Sequence, residues 1–314
     1  MTLSRRWPSA AGLALGYVAD QVFGDPRRGH PVAVFGAAAT WLETHTYGDQ
    51  PAAGLLHTGA LVGAAAGLGV VLERLIADHA TATVLSTAAA TWAVLGGRSL
   101  SREAATIAGQ LTSQNLAAAR DQVRHLVGRD TAELSTEEVA RATVESLAEN
   151  ASDAVVAPLF WGALAGLPGL LGYRAANTLD AMIGHRSPRY RKFGWAAARL
   201  DDLANWVPAR VAALAAAAWA PLVGGTAGEA LDVVRRDAGQ HPSPNAGVVE
   251  AAFAGALDVR LGGHNCYHGA IEDRGFLGDG RLVGIADIAR ASRLAAAVSI
   301  SALAVAVLCR GWRS

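Results

Sequence analysis

What most limits how this chain folds is a set of long stretches without a charged residue: 54–72, 80–97, 154–173 and 211–228, with a shorter one at 294–309 between Arg293 and Arg310. A helix needs roughly 20 predominantly apolar residues to cross a bilayer core, so the first four are near the required length. The fifth reaches it if its flanking arginines extend to the headgroups. The competing fate for such Ala-rich runs is burial in a large soluble bundle, because Ala is only weakly apolar on insertion scales. Composition favours the membrane: 17% of residues are charged, against about 25% in an ordinary soluble domain. No β-type alternation is sustained and no repeat is visible. We therefore expect an all-α, multi-pass integral membrane helical bundle with polar connecting helices and loops, in a single membrane-embedded domain over 1–314.

Arg5 and Arg6 precede a short apolar run that ends in Asp20 rather than in a small-residue cleavage site, so a cleaved signal peptide is not expected. Cys266 and Cys309 are far apart, which removes any disulfide framework or paired-cysteine metal site. Lys192 is the one lysine and lies in no GxxxxGK[ST] context, so phosphate must be held by arginine, backbone amides or a metal. Polar blocks at 24–46, 98–153, 174–210 and 229–293 separate the apolar runs. In the second, apolar residues at Leu111, Leu116, Val123, Leu126 and Val127 predict one amphipathic helix stopping near Gly128. Pro158, Gly162, Gly166, Pro168 and Gly169 make 154–173 a poor straight span, and arginine-rich blocks flank it on both sides. A segment that dips in and returns to the same face accounts for both facts.

The charged residues next to these runs are the candidates for chemistry. Glu145, Glu149 and Asp153 step by four and make one acidic helix stripe suited to Mg²⁺ or an arginine, or else a solvated helix face. Asn177 and Asp180 share a helical face, as do Asp202 and Asn205, with Arg199, Asp201 and Arg210 beside them. The LDDLAN stretch is similar to acid motifs that hold a diphosphate through Mg²⁺, and ordinary ion pairing is the plainer alternative. Asp25-Pro26 and His30-Pro31 fix a loop presenting Asp25 and His30. His185 is a further acid or base candidate. Asn245 follows Pro242 and Pro244 as an N-cap, with Arg260 beyond the helix it starts. His264, Cys266 and His268 suggest a metal but lack a fourth ligand.

Several long blocks in register, DQVFGDPRRGHPVAVFG, LVGRDT, VESLAENASDAVVAPLFWGALAGLPG, YRAANTLDAMIGHRSPRYRKFGWAAARLDDLANWVPAR and SPNAGVVEAAFAGALDVRLGG, closely resemble the CobD/CbiB family of cobalamin biosynthesis, the adenosylcobinamide-phosphate synthases. The resemblance runs from about Asp20 to Gly269 and implies a multi-pass enzyme of the cell (inner, cytoplasmic) membrane. The implied reaction joins adenosylcobyric acid to (R)-1-amino-2-propanol or its O-phosphate, with ATP and Mg²⁺. On this reading Glu145, Glu149, Asp153, Asp201 and Asp202 bind Mg²⁺ and through it the triphosphate. Arg199 and Arg210 then stabilise phosphoryl charge, and His30, His185 or one of the acids, Glu145, Glu149 and Asp202 among them, serves catalysis. Asp25, Asn150, Asn177, Asp180, Asn205, Asn245 and Arg260 hold the substrates. The implied partners are the corrinoid, the aminopropanol phosphate, membrane lipid and other late-pathway membrane enzymes, with no nucleic acid. The rivals are an Mg²⁺-dependent membrane transferase acting on a lipid diphosphate, and a non-catalytic sensor or transporter using buried acids.

Overall fold

A computed structural model describes residues 6–25, 29–185, 187–267 and 270–312. The elements run α1 (Arg6–Phe23), α2 (Pro31–Thr46), α3 (Pro51–Leu75), α4 (Ala80–Val94), α5 (Gly97–Thr112), α6 (Leu116–Val123), α7 (Thr136–Ala151), α8 (Ala157–Leu179), α9 (Tyr190–Phe193), α10 (Trp195–Trp219), α11 (Ala227–Asp237), α12 (Ala246–Leu257), β1 (Leu261–Tyr267), β2 (Ala270–Leu277) and α13 (Ile285–Trp312). They form two compact units. The first holds 1–96, 157–205 and 302–314, and the second holds 97–156 and 206–301.

The first unit is built inside out. Helix α3 buries Gly54, His57, Thr58 and Gly69, whereas Leu55, Leu56, Leu68, Val71 and Leu75 are exposed. In water that distribution would waste the hydrophobic effect; in lipid, where apolar burial between helices gains nothing, small and polar residues belong at the contacts. Close approach follows from the same logic. A Cβ on Gly12 would lie 2.8 Å from the Val84 carbonyl oxygen, and one on Gly69 would lie 2.6 Å from Pro168 Cα, so α1 meets α4 and α3 meets α8 through glycine. Among the described residues, four helical stretches are long and apolar enough to cross a membrane: Pro51–Leu75, Thr136–Gly184, Trp195–Val223 and Ile285–Trp312. The run at 80–97, expected to span, yields only the 15 residues of α4, roughly 22 Å of helix and short of a bilayer core. The molecule is a multi-pass membrane helical fold.

The 154–173 stretch does not cross straight. Its helix breaks at Gly166, with φ 68° and ψ −144°, a combination open to glycine alone. A Cβ on Gly169 would sit 2.8 Å from the Trp161 carbonyl carbon, and one on Gly162 would sit 2.9 Å from Leu170 Cγ. Residues eight apart lie about 12 Å apart along a straight helix, so these contacts show the two halves of α8 folded back on each other. At the turn, the amide of Leu167 donates to Glu73 Oε1 at 3.0 Å, and Arg310 stands 3.6 Å from the same oxygen. The freed backbone is thus satisfied by protein, as it must be in an apolar phase.

The second unit packs α7, α11 and α12, with Val139, Val144, Leu147, Val249, Phe253 and Leu257 fully buried. One expectation fails here. The single helix expected over 101–128 is divided into α5 and α6: Gln114 takes a left-handed φ of 59°, and Asn115 caps α6 by accepting from the Ala118 amide at 3.2 Å. Strands also occur. β1 and β2 pair antiparallel from Leu261↔Leu277 to Tyr267↔Ala270, with a bulge between Gly262 and His264. Gly262 and Gly263, at φ 75° and 83°, supply the irregular backbone there.

Candidate functional site

The second unit contains a cavity of about 250 Å³ lined by Leu126, Val127, Gly128, Arg129, Glu145, Ser146, Glu149, Glu250, Gly262 and Arg274. Its elements explain the lining. The capping box of Ser135 and Glu138 starts α7, and one turn separates Glu145 from Glu149 on the same face. The glycine-rich start of β1 brings the Gly262 amide to Glu145 Oε1 at 2.8 Å. Arg129 pairs with Glu145 and also donates to Asn265, while Arg141 stands 3.9 Å from Glu145 Oε1. Glu145 is therefore a fully engaged carboxylate that fixes the wall. Asn150 turns back along α7 and donates to the Ser146 carbonyl at 3.0 Å. Past Ala151 a π-helical turn, Ser152–Val156, shifts the register, and Asp153 is not among the cavity residues.

Glu250 is the one charged residue of α12 and is 3% exposed. Burial first, then the neighbouring Glu145 and Glu149, push its carboxyl well above the ordinary range. His241 lies behind it, with Nε2 3.9 Å from Glu250 Oε1 and both side chains buried. The Ser243 amide donates to His241 Nδ1 at 3.0 Å, closer than the Ser243 carbonyl at 3.3 Å. That bond leaves the neutral ring's proton on Nε2, toward Glu250. Burial, then Arg274, hold the imidazole below its usual pKa.

At the start of α12, Asn245 occupies the N-cap position, but its side chain makes no cap bond. It accepts instead from Arg210 at 2.9 Å, and Ser243 Oγ takes the Ala246 amide at 3.1 Å. Capping by the Asn245 side chain is thereby corrected. Arg210 also lies over the Trp206 ring at 4.6 Å, and the exposed Arg260 covers Phe276 at 5.0 Å. In β1, His264 is exposed and Cys266 Sγ donates to Asp130 at 3.3 Å; His268 lies outside the described residues.

The first unit gathers a separate polar network. Asp201 accepts from Asn177 at 3.2 Å and from Asn205 at 2.9 Å, Tyr173 donates to Asn205 at 2.8 Å, and Arg174 reaches Asn177 at 3.4 Å. Asp202, next in sequence, points elsewhere and pairs with Arg199 at 3.4 Å. Adjacent helical residues are about 100° apart, so the LDDLAN acids do not form one cluster. Asp180 opens the π-helical turn Asp180–Gly184, where a Cβ on Gly184 would collide with its carboxylate. His30 Nδ1 accepts the Val32 amide at 3.1 Å and Nε2 lies 4.0 Å from Asp25, so its ring caps α2. His185 packs edge-on to Tyr190 at 5.0 Å; Pro26 and Arg186 are outside the described residues.

Among the described residues no group of three or more His, Cys, Asp or Glu is placed to hold a metal ion. A resident metal does not fit the donors of the described residues. Arg129, Glu250, Arg274 and His241 were not singled out from sequence. The one usable signal was Glu250, a lone acid in an otherwise apolar helix.

The family model described as CobD/Cbib protein matches residues 13–295. A cobalamin biosynthesis protein CobD of Mycobacterium tuberculosis is 54% identical over 299 residues, covering 95% of this chain and 95% of that protein. The protein of the same description from Rhizobium meliloti is 44% identical over 285 residues, covering 86% and 87%. That from Pelobacter propionicus is 40% identical over 280 residues, covering 87% and 86%. No solved structure matches the chain.

Proposed function

The chain belongs to the CobD/CbiB family, and from that premise and the cavity of its second unit we propose that it forms an amide bond in cobalamin biosynthesis. The cell membrane is the proposed location. The reaction joins the carboxylate of adenosylcobyric acid to the amine of (R)-1-amino-2-propanol or its O-phosphate. A carboxylate and an ammonium do not condense in water, because the carboxylate oxygen is a poor leaving group and the ammonium has no lone pair. ATP, carried with Mg²⁺ as a co-substrate, makes that oxygen a phosphate leaving group. The protein's part is to hold the two reactants in line and to manage charge and protons.

The observation that carries this reading is the charge pattern of the cavity. It presents Arg129 and Arg274 together with Glu149 and Glu250. An aminopropanol phosphate has a phosphate at one end and an ammonium at the other, and guanidinium and carboxyl groups are the complementary partners of those two ends. The cavity, about 250 Å³, is below the roughly 300–1,000 Å³ of drug-sized sites, so it suits a small molecule and not a corrinoid. The corrinoid, large and amphipathic, would approach along apolar surface. The separation of Asp201 from Asp202 gives no support to a lipid-diphosphate transferase. The test is an assay of the purified protein with adenosylcobyric acid, aminopropanol phosphate, ATP and Mg²⁺, read by product mass. Amide formation dependent on ATP is expected. Its absence, or a prenyl or phosphatidyl product from lipid substrates, would overturn the reading.

A further inference from the structure

Amide formation from an ammonium needs a proton acceptor, and neither histidine expected from sequence is placed to act as one: His30 caps α2 and His185 packs on Tyr190. We propose that Glu250, backed by His241 and turned into the cavity of the second unit, takes the proton from the attacking ammonium. This rests on the reading of the reaction given above. The groups facing Glu250 come from every element around it: Glu145 and Glu149 from α7, Arg129 from the segment before α7, Arg274 from β2, and His241 from the turn before α12. Arg129 is committed to Glu145 and Asn265, and Arg274 stands 3.3 Å from Glu272. Glu145 is held by Arg129 and the Gly262 amide. Among the described residues Glu250 has no such hydrogen-bonded anchor, and His241 Nε2 lies 3.9 Å from its Oε1, so its carboxyl group can exchange a proton with whatever enters. A carboxylate buried at this depth has a higher proton affinity than one in water, which suits it to an amine donor.

The step balances as follows. One proton passes from the ammonium to Glu250, and the freed nitrogen lone pair forms the C–N bond to the activated carbonyl carbon. The C–O bond to phosphate then breaks, phosphate leaves with the electron pair, and the second N–H proton departs with it as hydrogen phosphate. His241, whose Nε2 lies 3.9 Å from Glu250 Oε1, has the role of a positioning residue in this assignment.

The experiment uses the full-length protein in lipid nanodiscs and compares two nucleophiles: aminopropanol phosphate, which is an ammonium at neutral pH, and hydroxylamine, which is not. In Glu250→Gln, amide formation should fall by about 10²–10⁴-fold at pH 7 and recover about tenfold per pH unit as free amine accumulates. ATP-dependent hydroxamate formation should stay near the parent rate. His241→Asn should lower kcat and shift the acid limb of the pH profile, with KM for ATP unchanged. A Glu250→Gln variant that keeps the parent rate and profile overturns the assignment alone. Equal loss with both nucleophiles also overturns it, because Glu250 would then act in activation or in folding. A parent protein that makes neither product overturns the reaction and this assignment together.

Discussion

Arg129 is the residue on which the second unit's wall depends most. It is 7% exposed and pairs with Glu145 and Asn265. Removing one partner of a buried pair leaves an uncompensated charge and costs about 3–5 kcal/mol. Arg129→Gln should therefore lower the thermal midpoint of the detergent-solubilised protein, and Arg129→Lys should recover only part, since an ammonium cannot serve two acceptors in a fixed plane. Glu250 gives the opposite sign. Burial, reinforced by Glu145 and Glu149, raises its folded pKa above the unfolded one. Between those two values the folded state binds the extra proton, so this contribution to stability is complete below about pH 4 and is lost as pH rises through the folded value. Glu250→Gln escapes that loss. Its midpoint should rise relative to the parent as pH increases above about 4 towards the folded value, by about 1.4 kcal/mol for each pH unit between the two; a pH-independent difference would refute the burial argument.

At the scale of elements, Gly166 decides whether α8 is a hairpin or a rod. Its φ of 68° and ψ of −144° exclude a side chain, and a Cβ there would press on Glu73 and Arg310. Gly166→Ala should cost about 1–3 kcal/mol by thermal unfolding. Gly228→Ala, in α11 with nothing nearer than 3.9 Å to the new methyl, should instead stabilise by about 0.5–1 kcal/mol. Equal effects of the two would mean the break at 166 is not specified by glycine. The prolines and glycines of this stretch already announce a broken span in sequence, because backbone conformation is local. The β1–β2 hairpin was not legible in the same way: its alternation is interrupted by the bulge at Gly262 to His264, and its pairing is a contact between segments. The split between α5 and α6 was missed for a related reason. Apolar spacing continues through it, while Gln114's positive φ leaves no mark in the pattern.

At the scale of the whole molecule, the apolar runs foretold a membrane fold because lipid selects on composition over many residues. The cavity was not foretold, since Arg129, Glu145, Glu250 and Arg274 are brought together only by tertiary packing. Tryptophan placement tests the membrane reading independently. Of eight tryptophans, Trp7, Trp41, Trp195, Trp206, Trp219 and Trp312 are exposed, while Trp92 and Trp161 donate to the Gly24 and Ala204 carbonyls at 2.9 and 3.0 Å. Exposed indoles are costly in water and favourable at the lipid interface, where the ring is apolar and the N–H meets headgroups. Reconstitution into bilayers of bromine-substituted lipid should therefore quench most of the emission, because bromine quenches only on contact. The residual emission should come from Trp92 and Trp161, so Trp92→Phe with Trp161→Phe should leave a protein that is quenched almost completely. Emission that survives in this double variant would place the exposed indoles in water, and the apolar helices would then have to be buried against protein in a soluble bundle.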